Sequence, residues 1–383
     1  MGSVQSDVYT VSLMGGELKR LTFDNTLILG LTWLPDGHEI VFASQHKQPA
    51  GLVVPFGLWK ISASGGEPVP MAIPPQFGHY PGNPAISRTG SRLICEQREL
   101  GDLDIWRAPG PHPAHNGLSP ARLIASTWPD SHPQFSPDGT RVAYSGGSSG
   151  NLEIRVCNNE GHDCTQLTSM NPKQAHNPRW SPDGSQIAFV AQGDIYVVRS
   201  DGGNPRLLTR ETSEDTLPSW SRDGQSIYFA SDRSGSWEVW KVPAGEGRAV
   251  QVTRSGGLEA FESFDGQFLY FTKPIGLTWV FGLSSIWRMP TKGGDEVRVI
   301  DRTSVGYWGL LNDGLCHLDA SGDLPFSIQY LNFTTGQTRK IGSIDKEPIW
   351  NYSSFSVSSD GQWILYTKRP SEEHDLMLVE NFN

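Results

Sequence analysis

Short runs of alternating apolar residues recur along the whole chain, each broken by a cluster of turn-forming residues. Ile187-Ala188-Phe189-Val190 and Ile227-Tyr228-Phe229-Ala230 are two of them. Period-two alternation marks strands with one face on a core, and nothing in the pattern repeats at the helical period. The runs are too short and too regularly spaced for anything but an all-β fold built from hairpins.

The spacing is a repeat. Eight hairpins carry related sequences, centred on Asp36, Thr89, Asp138, Asp183, Asp223, Asp265, Asp313 and Asp360. Their mean spacing is about 46 residues, in the range of propeller blades. In Ser136-Pro137-Asp138-Gly139, proline presets φ, aspartate suits the next position, and glycine accepts the positive φ at the exit. The strand before this turn is strand A and the one after it strand B. A strand C follows, as in Ile195-Tyr196-Val197 or Val239-Trp240-Lys241, then a glycine turn and a strand D such as Arg206-Leu207-Leu208-Thr209. Four antiparallel strands per period make one blade, and stacked blades bury both faces of each sheet.

The ends bear on closure. The chain opens with a C–D pair (Val8–Val11, Lys19–Thr22) and stops after a C strand, Leu376–Val379. The expected fold is therefore a single β-propeller domain over residues 1–383. Eight blades are expected, with seven as the alternative, and the ring is expected to close through the N-terminal strand.

Composition narrows the function classes. Charged residues make up 19% and aromatics 10% of the chain, with 42 Gly and 27 Pro, as a turn-rich globular protein requires. A net charge of −10 without a basic run argues against direct nucleic acid binding. No stretch approaches the ~18 apolar residues of a spanning helix, so membrane insertion is not expected and the chain reads as soluble. Oligomeric state leaves no trace in the sequence. Of the four cysteines, Cys95 and Cys316 fall on B strands as buried thiols. Cys157 and Cys164 flank a C–D turn; two free thiols are the default there, and a cross-strand disulfide would require an oxidising compartment.

The W-S-P-D-G hairpins, D-G-G turns and R-L-T strands together resemble the TolB-like propeller repeat, a relative of the WD-type repeat, over nearly the whole length. A narrower likeness lies in Leu21–Asn25, Ser219–Gly224, Trp237–Val242 and Asp375–Phe382. These resemble the C-terminal propeller of bacterial winged-helix regulators. The resemblance implies a sensory or protein-interaction module of a larger regulatory protein, in a bacterial cytoplasm or periplasm.

In a propeller the D–A and B–C loops share one face and the stereotyped A–B and C–D turns the other, so the variable face is the better candidate for binding. The residues just ahead of each strand A should ring the channel mouth there. They are Tyr80, Asn83, Asp130, His132, His176, Asn177, Asp215, Trp308 and Trp350, with Glu214, Tyr307 and Tyr352 beside them. The mixture suits a small polar ligand, a peptide or a protein; the competing view is a solvated rim. Two apolar B–C loops on the same face, with Phe56 in one and Trp279 and Phe281 in the other, would grip a protein partner or fold back on the blade.

Enzymatic readings are weaker. Gly146-Gly147-Ser148-Ser149-Gly150 fits G-x-S-x-G but joins two strands, whereas a nucleophile elbow joins a strand to a helix. Some propeller lyases hold a divalent metal with channel histidines. His132 and His176 occupy corresponding places in neighbouring blades, near Asp130 and Asp215, which makes them weak metal candidates. His112 and His115 sit in a Pro-rich C–D loop. The expectation is a non-enzymatic binding module without a cofactor. The alternatives are a metal-dependent lyase or hydrolase sited in the central channel and a purely structural repeat.

Overall fold

The computed structural model describes all residues except 1–5, 24–27, 45–56, 72–78, 100–102, 115–116, 127, 148–150, 171–173, 211, 276–282, 320, 323, 346–353, 370–373 and 381–383. Among the described residues there are only strands and turns. The chain divides into two compact units, residues 103–369 and residues 1–102 with 370–383.

The larger unit holds six four-stranded antiparallel sheets. Five follow the repeat in sequence order, with A strands Asp130–Phe135, Ala175–Trp180, Asp215–Trp220, Ala260–Glu262 and Trp308–Leu311. The sixth is composite. Its A and B strands, Phe355–Val357 and Trp363–Lys368, come from the end of the unit, and its C and D strands, Asp104–Pro109 and Ala121–Ile124, from the beginning. Lys368 pairs with Asp104 and Trp363 with Pro109 across that seam.

Hydrophobic burial shows that the six sheets form a closed ring. Each of the six interfaces has its own core cluster. Phe189 and Ile154 pack between the first and second sheets, Phe229 and Val190 between the second and third, and Phe271 and Tyr228 between the third and fourth. Leu315 and Tyr270 follow, then Phe355 and Ile328, and Leu365 with Val142 returns to the start. Removing one such buried aromatic costs about 3–5 kcal/mol, so each interface alone holds a large share of a domain's stability.

The smaller unit contains a four-stranded sheet (Ile28–Trp33, Glu39–Ser44, Gly57–Ser62, Val69–Pro70) and a two-stranded ribbon, Tyr9–Thr10 with Lys19–Arg20. Its third sheet joins the hairpin His79–Ile86 and Arg92–Glu99 to the terminal strand His374–Glu380. All eight hairpins of the repeat therefore exist, and the all-β propeller architecture is present. The closing device differs from expectation. Among the described residues the N-terminal strand Lys19–Arg20 pairs with its own neighbour Tyr9–Thr10, and residues 104–124 close the ring of the larger unit. The reason lies in the C strands: Asp104–Pro109 bonds to the hairpin of the last repeat, and His374–Glu380 to that of the second. Nearest-neighbour reading along the sequence pairs each with its own hairpin.

The hairpin chemistry is as the sequence implied. Ser136 Oγ donates to Asp138 Oδ1 at 2.5 Å, the Thr140 amide donates to the same oxygen at 3.1 Å, and Gly139 takes φ 70°. The same geometry recurs at Ser181-Asp183, Ser221-Asp223, Ser263-Asp265 and Ser358-Asp360. These bonds favour the ionised carboxylate and hold Asp138, Asp183, Asp223 and Asp265 below the usual range. Cys157 and Cys164 form a disulfide across their C–D turn, which corrects the free-thiol default; antiparallel pairing brings their Cα atoms to 4.1 Å. Cys95 and Cys316 are buried free thiols.

Candidate functional site: the central cavity of the six-sheet ring

Strand A of the first three sheets carries a bulge where a residue precedes proline. His132, Asn177 and Leu217 take φ of 55°, 54° and 52° before Pro133, Pro178 and Pro218, and the strand register shifts there. His132 therefore corresponds to Asn177, and His176 to Ser131. This corrects the expectation that the two histidines occupy matching places in neighbouring blades.

Beyond the bulge, the second half of strand A faces inward. Gln134, Arg179, Ser219, Phe261, Trp308 and Ser356, one from each sheet, line a central cavity of about 350 Å³ that reaches the A–B turns at Pro137, Pro182 and Arg222. Much of the polar lining also stitches the ring. Gln134 Oε1 accepts from the Trp180 amide at 2.6 Å, and Trp220 Nε1 donates to the Arg179 carbonyl at 3.0 Å. Ser219 Oγ donates to the Ala260 carbonyl, and Ser356 Oγ accepts from the Phe135 amide at 3.2 Å. Trp308 leans on Phe261 with ring centroids 4.8 Å apart. At the rim the Arg222 guanidinium lies 3.9 Å from the centre of the partly exposed Phe264 ring.

Deeper in, Arg179 pairs with Glu259 at 2.9 Å, and both are buried. Glu259 also accepts from the Gly306 amide at 3.1 Å. Each charge thus has the opposite partner that an isolated buried charge would lack. His132 and His176 lie next to it with ring centroids 5.8 Å apart. Burial drives both imidazoles toward neutrality, with Arg179 adding to the effect at His132: His132 falls well below its ordinary value and His176 to about 4.

The residues expected at the opposite mouth do not assemble as an open ring. Asp130, His132, Asn177 and Asp215 are buried. Asp215 is held by both of its oxygens on Arg233 Nη2, at 2.9 and 2.7 Å. Asp130 faces outward into a cleft between sheets, beside Tyr144 and Arg155. Among the described residues no group of three His, Cys, Asp or Glu is placed to hold a metal.

Trp308 begins its own strand and belongs to the cavity wall, while Tyr307 is fully buried in a core cluster. In the smaller unit Tyr80 lies on the strand His79–Ile86, and Asn83 Nδ2 donates to Glu96 at 2.7 Å. His112 pairs with Asp313 at 3.0 Å. Trp350, Tyr352, Phe56, Trp279, Phe281, His115 and Ser148 lie outside the described residues. Sequence reasoning missed Gln134, Arg179, Ser219 and Phe261. For Gln134, Arg179 and Ser219 the available signal was their place directly after the strand-A proline, which alternation puts on the channel side.

Residues 113–286 match the TolB beta propeller domain, PD40. Over these residues the chain carries a TolB-like β-propeller repeat. It is 28% identical over 162 residues to a TolB homolog of Chlorobium luteolum, a stretch covering 42% of this chain and 36% of that protein. It is 29% identical over 151 residues to the uncharacterized peptidase YuxL of Bacillus subtilis, covering 37% of this chain and 21% of the peptidase. The matched stretch thus spans about a third or less of these relatives' own length. The crystal structure of TolB from Acinetobacter baumannii aligns over 90% of this chain and 84% of that one, with a TM-score of 0.50 at 16% identity; the likeness is one of fold. None of these three is a winged-helix regulator, so the narrower resemblance gains no support from them. Among the described residues no helix of the TolB-like chain is long and apolar enough to cross a membrane.

Proposed function

We propose that the TolB-like propeller is a binding module that receives part of a protein or peptide partner in the central cavity of its six-sheet ring. The observation that carries this reading is the cavity: about 350 Å³, walled by Phe261, Trp308, Trp180 and Trp220 with interspersed polar groups. Concave, largely apolar sites with a few fixed polar groups are where ligands and side chains are taken up. The rim adds a charge preference. The A–B turns that the cavity reaches carry Asp138, Asp183 and Asp223 as carboxylates held in the ionised form by serine and amide donors, which suits a segment bearing lysine or arginine. Arg222 stacked on Phe264 supplies an aromatic–arginine pair of the kind that anchors interfaces. Membership of a larger regulatory protein is part of the proposal and rests on the sequence resemblance alone.

The test uses the full chain as bait, identifies what it captures by mass spectrometry, and measures the purified pair. Phe264→Ala and Arg222→Ala should each weaken binding about tenfold or more; unchanged affinity in both would remove the cavity from the site. The imidazole pair is the feature on which a metal-dependent lyase or hydrolase would be built. Stoichiometric metal in the purified protein, lost in both His132→Ala and His176→Ala, would replace the binding reading with that one.

A further inference from the structure

A second cavity, of about 670 Å³, lies in the larger unit between the composite sheet and the sheet that starts at Asp130. Its size is within the ordinary range of small-molecule sites. Three side chains converge on its floor over Gly146. A Cβ there would meet Tyr144 Cε2 at 2.7 Å, Asp130 Oδ1 at 2.8 Å and Arg155 Cδ at 2.9 Å. Only glycine allows this convergence. Arg155 Nε donates to Tyr144 Oη at 3.2 Å, which aligns the guanidinium beside the carboxyl group. Asp130 is 2% exposed, and among the described residues nothing hydrogen-bonds its Oδ2. Buried polar atoms are normally satisfied, so one that is not invites a ligand. Trp128 stands at the cavity wall, and the disulfide loop contributes Gly161, His162 and Cys164.

We propose that this cleft binds a small zwitterion of the α-amino acid class, its ammonium on Asp130 and its carboxylate on Arg155. The charges argue for this class over its neighbours. A plain anion would meet Asp130 and the nearby Asp104, and a metal ion would find a single carboxylate beside a guanidinium. A ligand with both charged groups on one carbon answers both residues at once. Trp128 offers the ammonium an aromatic neighbour.

Binding is coupled to a proton. Burial pushes Asp130 up to about 7, with Asp104 adding to the rise and Ser126 and Arg155 opposing it. The other charged or titratable groups on the cleft walls are Arg122, which pairs with Asp104 at 3.1 Å, Tyr144 and His162. In the empty cleft at neutral pH the carboxyl is therefore partly protonated. An arriving ammonium favours the ionised form, and the Asp130 proton passes to solvent.

The experiment is calorimetric titration of the full chain with the proteinogenic L-amino acids, using ethylammonium and acetate as single-charge probes. Expected are saturable binding of at least one amino acid and much weaker binding of both probes. Asp130→Asn and Arg155→Gln should each cost about tenfold or more in affinity. Wild-type affinity should rise about tenfold between about pH 6 and about pH 8. No saturable binding at about 10 mM, equal binding of ethylammonium, or affinity unchanged in both variants would overturn the assignment. Retained thermal unfolding of Asp130→Asn, which keeps the side-chain shape, and of Arg155→Lys, which keeps the charge, separates loss of the site from loss of the fold. The outcome is independent of the central cavity, which Phe264→Ala and Arg222→Ala probe separately.

Discussion

At the scale of single residues the buried titratable groups set measurable behaviour. Asp130 has a folded-state value of about 7, above the ordinary carboxyl value it has when unfolded. The folded protein therefore holds a proton that the unfolded chain has released, and stability falls as pH rises from about 4 to about 7. Above that window the penalty is constant. Asp130→Asn removes the charge and should flatten this part of the profile. The variant should exceed wild type by on the order of 4 kcal/mol near pH 8 and match it near pH 4, as read by thermal melts across that range. A wild-type profile with no slope between these limits would refute the burial argument. Asp215 shows the contrast: equally buried, it is answered by Arg233.

Among the elements, the A–B hairpin is the repeated unit of local order. Asp183 accepts from Ser181 Oγ, the Ser185 amide and Ser185 Oγ, at 2.5, 3.0 and 2.7 Å. Asp183→Ala should cost about 1–2 kcal/mol, measured by denaturant unfolding, and a neutral result would show that glycine and proline alone set the turn. Because these aspartates titrate below their unfolded values, their contribution is complete above the unfolded pKa and is lost as pH falls through the folded one. The acid limb of the stability profile thus belongs to the turns, and the neutral limb to Asp130. Strand A is less regular. Its bulge puts His132, Asn177 and Leu217 in the left-handed region, and that kink turns the second half of the strand toward the cavity.

For the whole molecule, the decisive feature is the composite sheet. Six interfaces with six core clusters give residues 103–369 a continuous core of their own. A protein consisting of those residues alone should unfold in one cooperative transition, followed by calorimetry and tryptophan fluorescence together. Non-coincident transitions, or failure to fold, would show that the ring depends on the rest of the chain. Removing residues 103–124 as well should abolish cooperativity, since it takes away half of the closing sheet.

Much was legible from sequence. Local chemistry determined the strands, the turns, the number of hairpins and the propeller class, because alternation and the Ser-Pro-Asp-Gly pattern act within a few residues. The burial of Cys95 and Cys316 on B strands followed from the same period. Tertiary structure alone decided which C strand completes which sheet. Asp104–Pro109 and His374–Glu380 are both short apolar strands, and pairing between them and the hairpins depends on contacts far apart in sequence. It also decided the site. The same alternation that located strand A left open which end of the channel is filled, and the bulge before proline changed the register from which His132 and His176 were judged equivalent. Period-two patterns report which face a residue is on; depth along a channel, and whether a carboxylate meets Arg233 or an unfilled cleft, are set by packing between sheets.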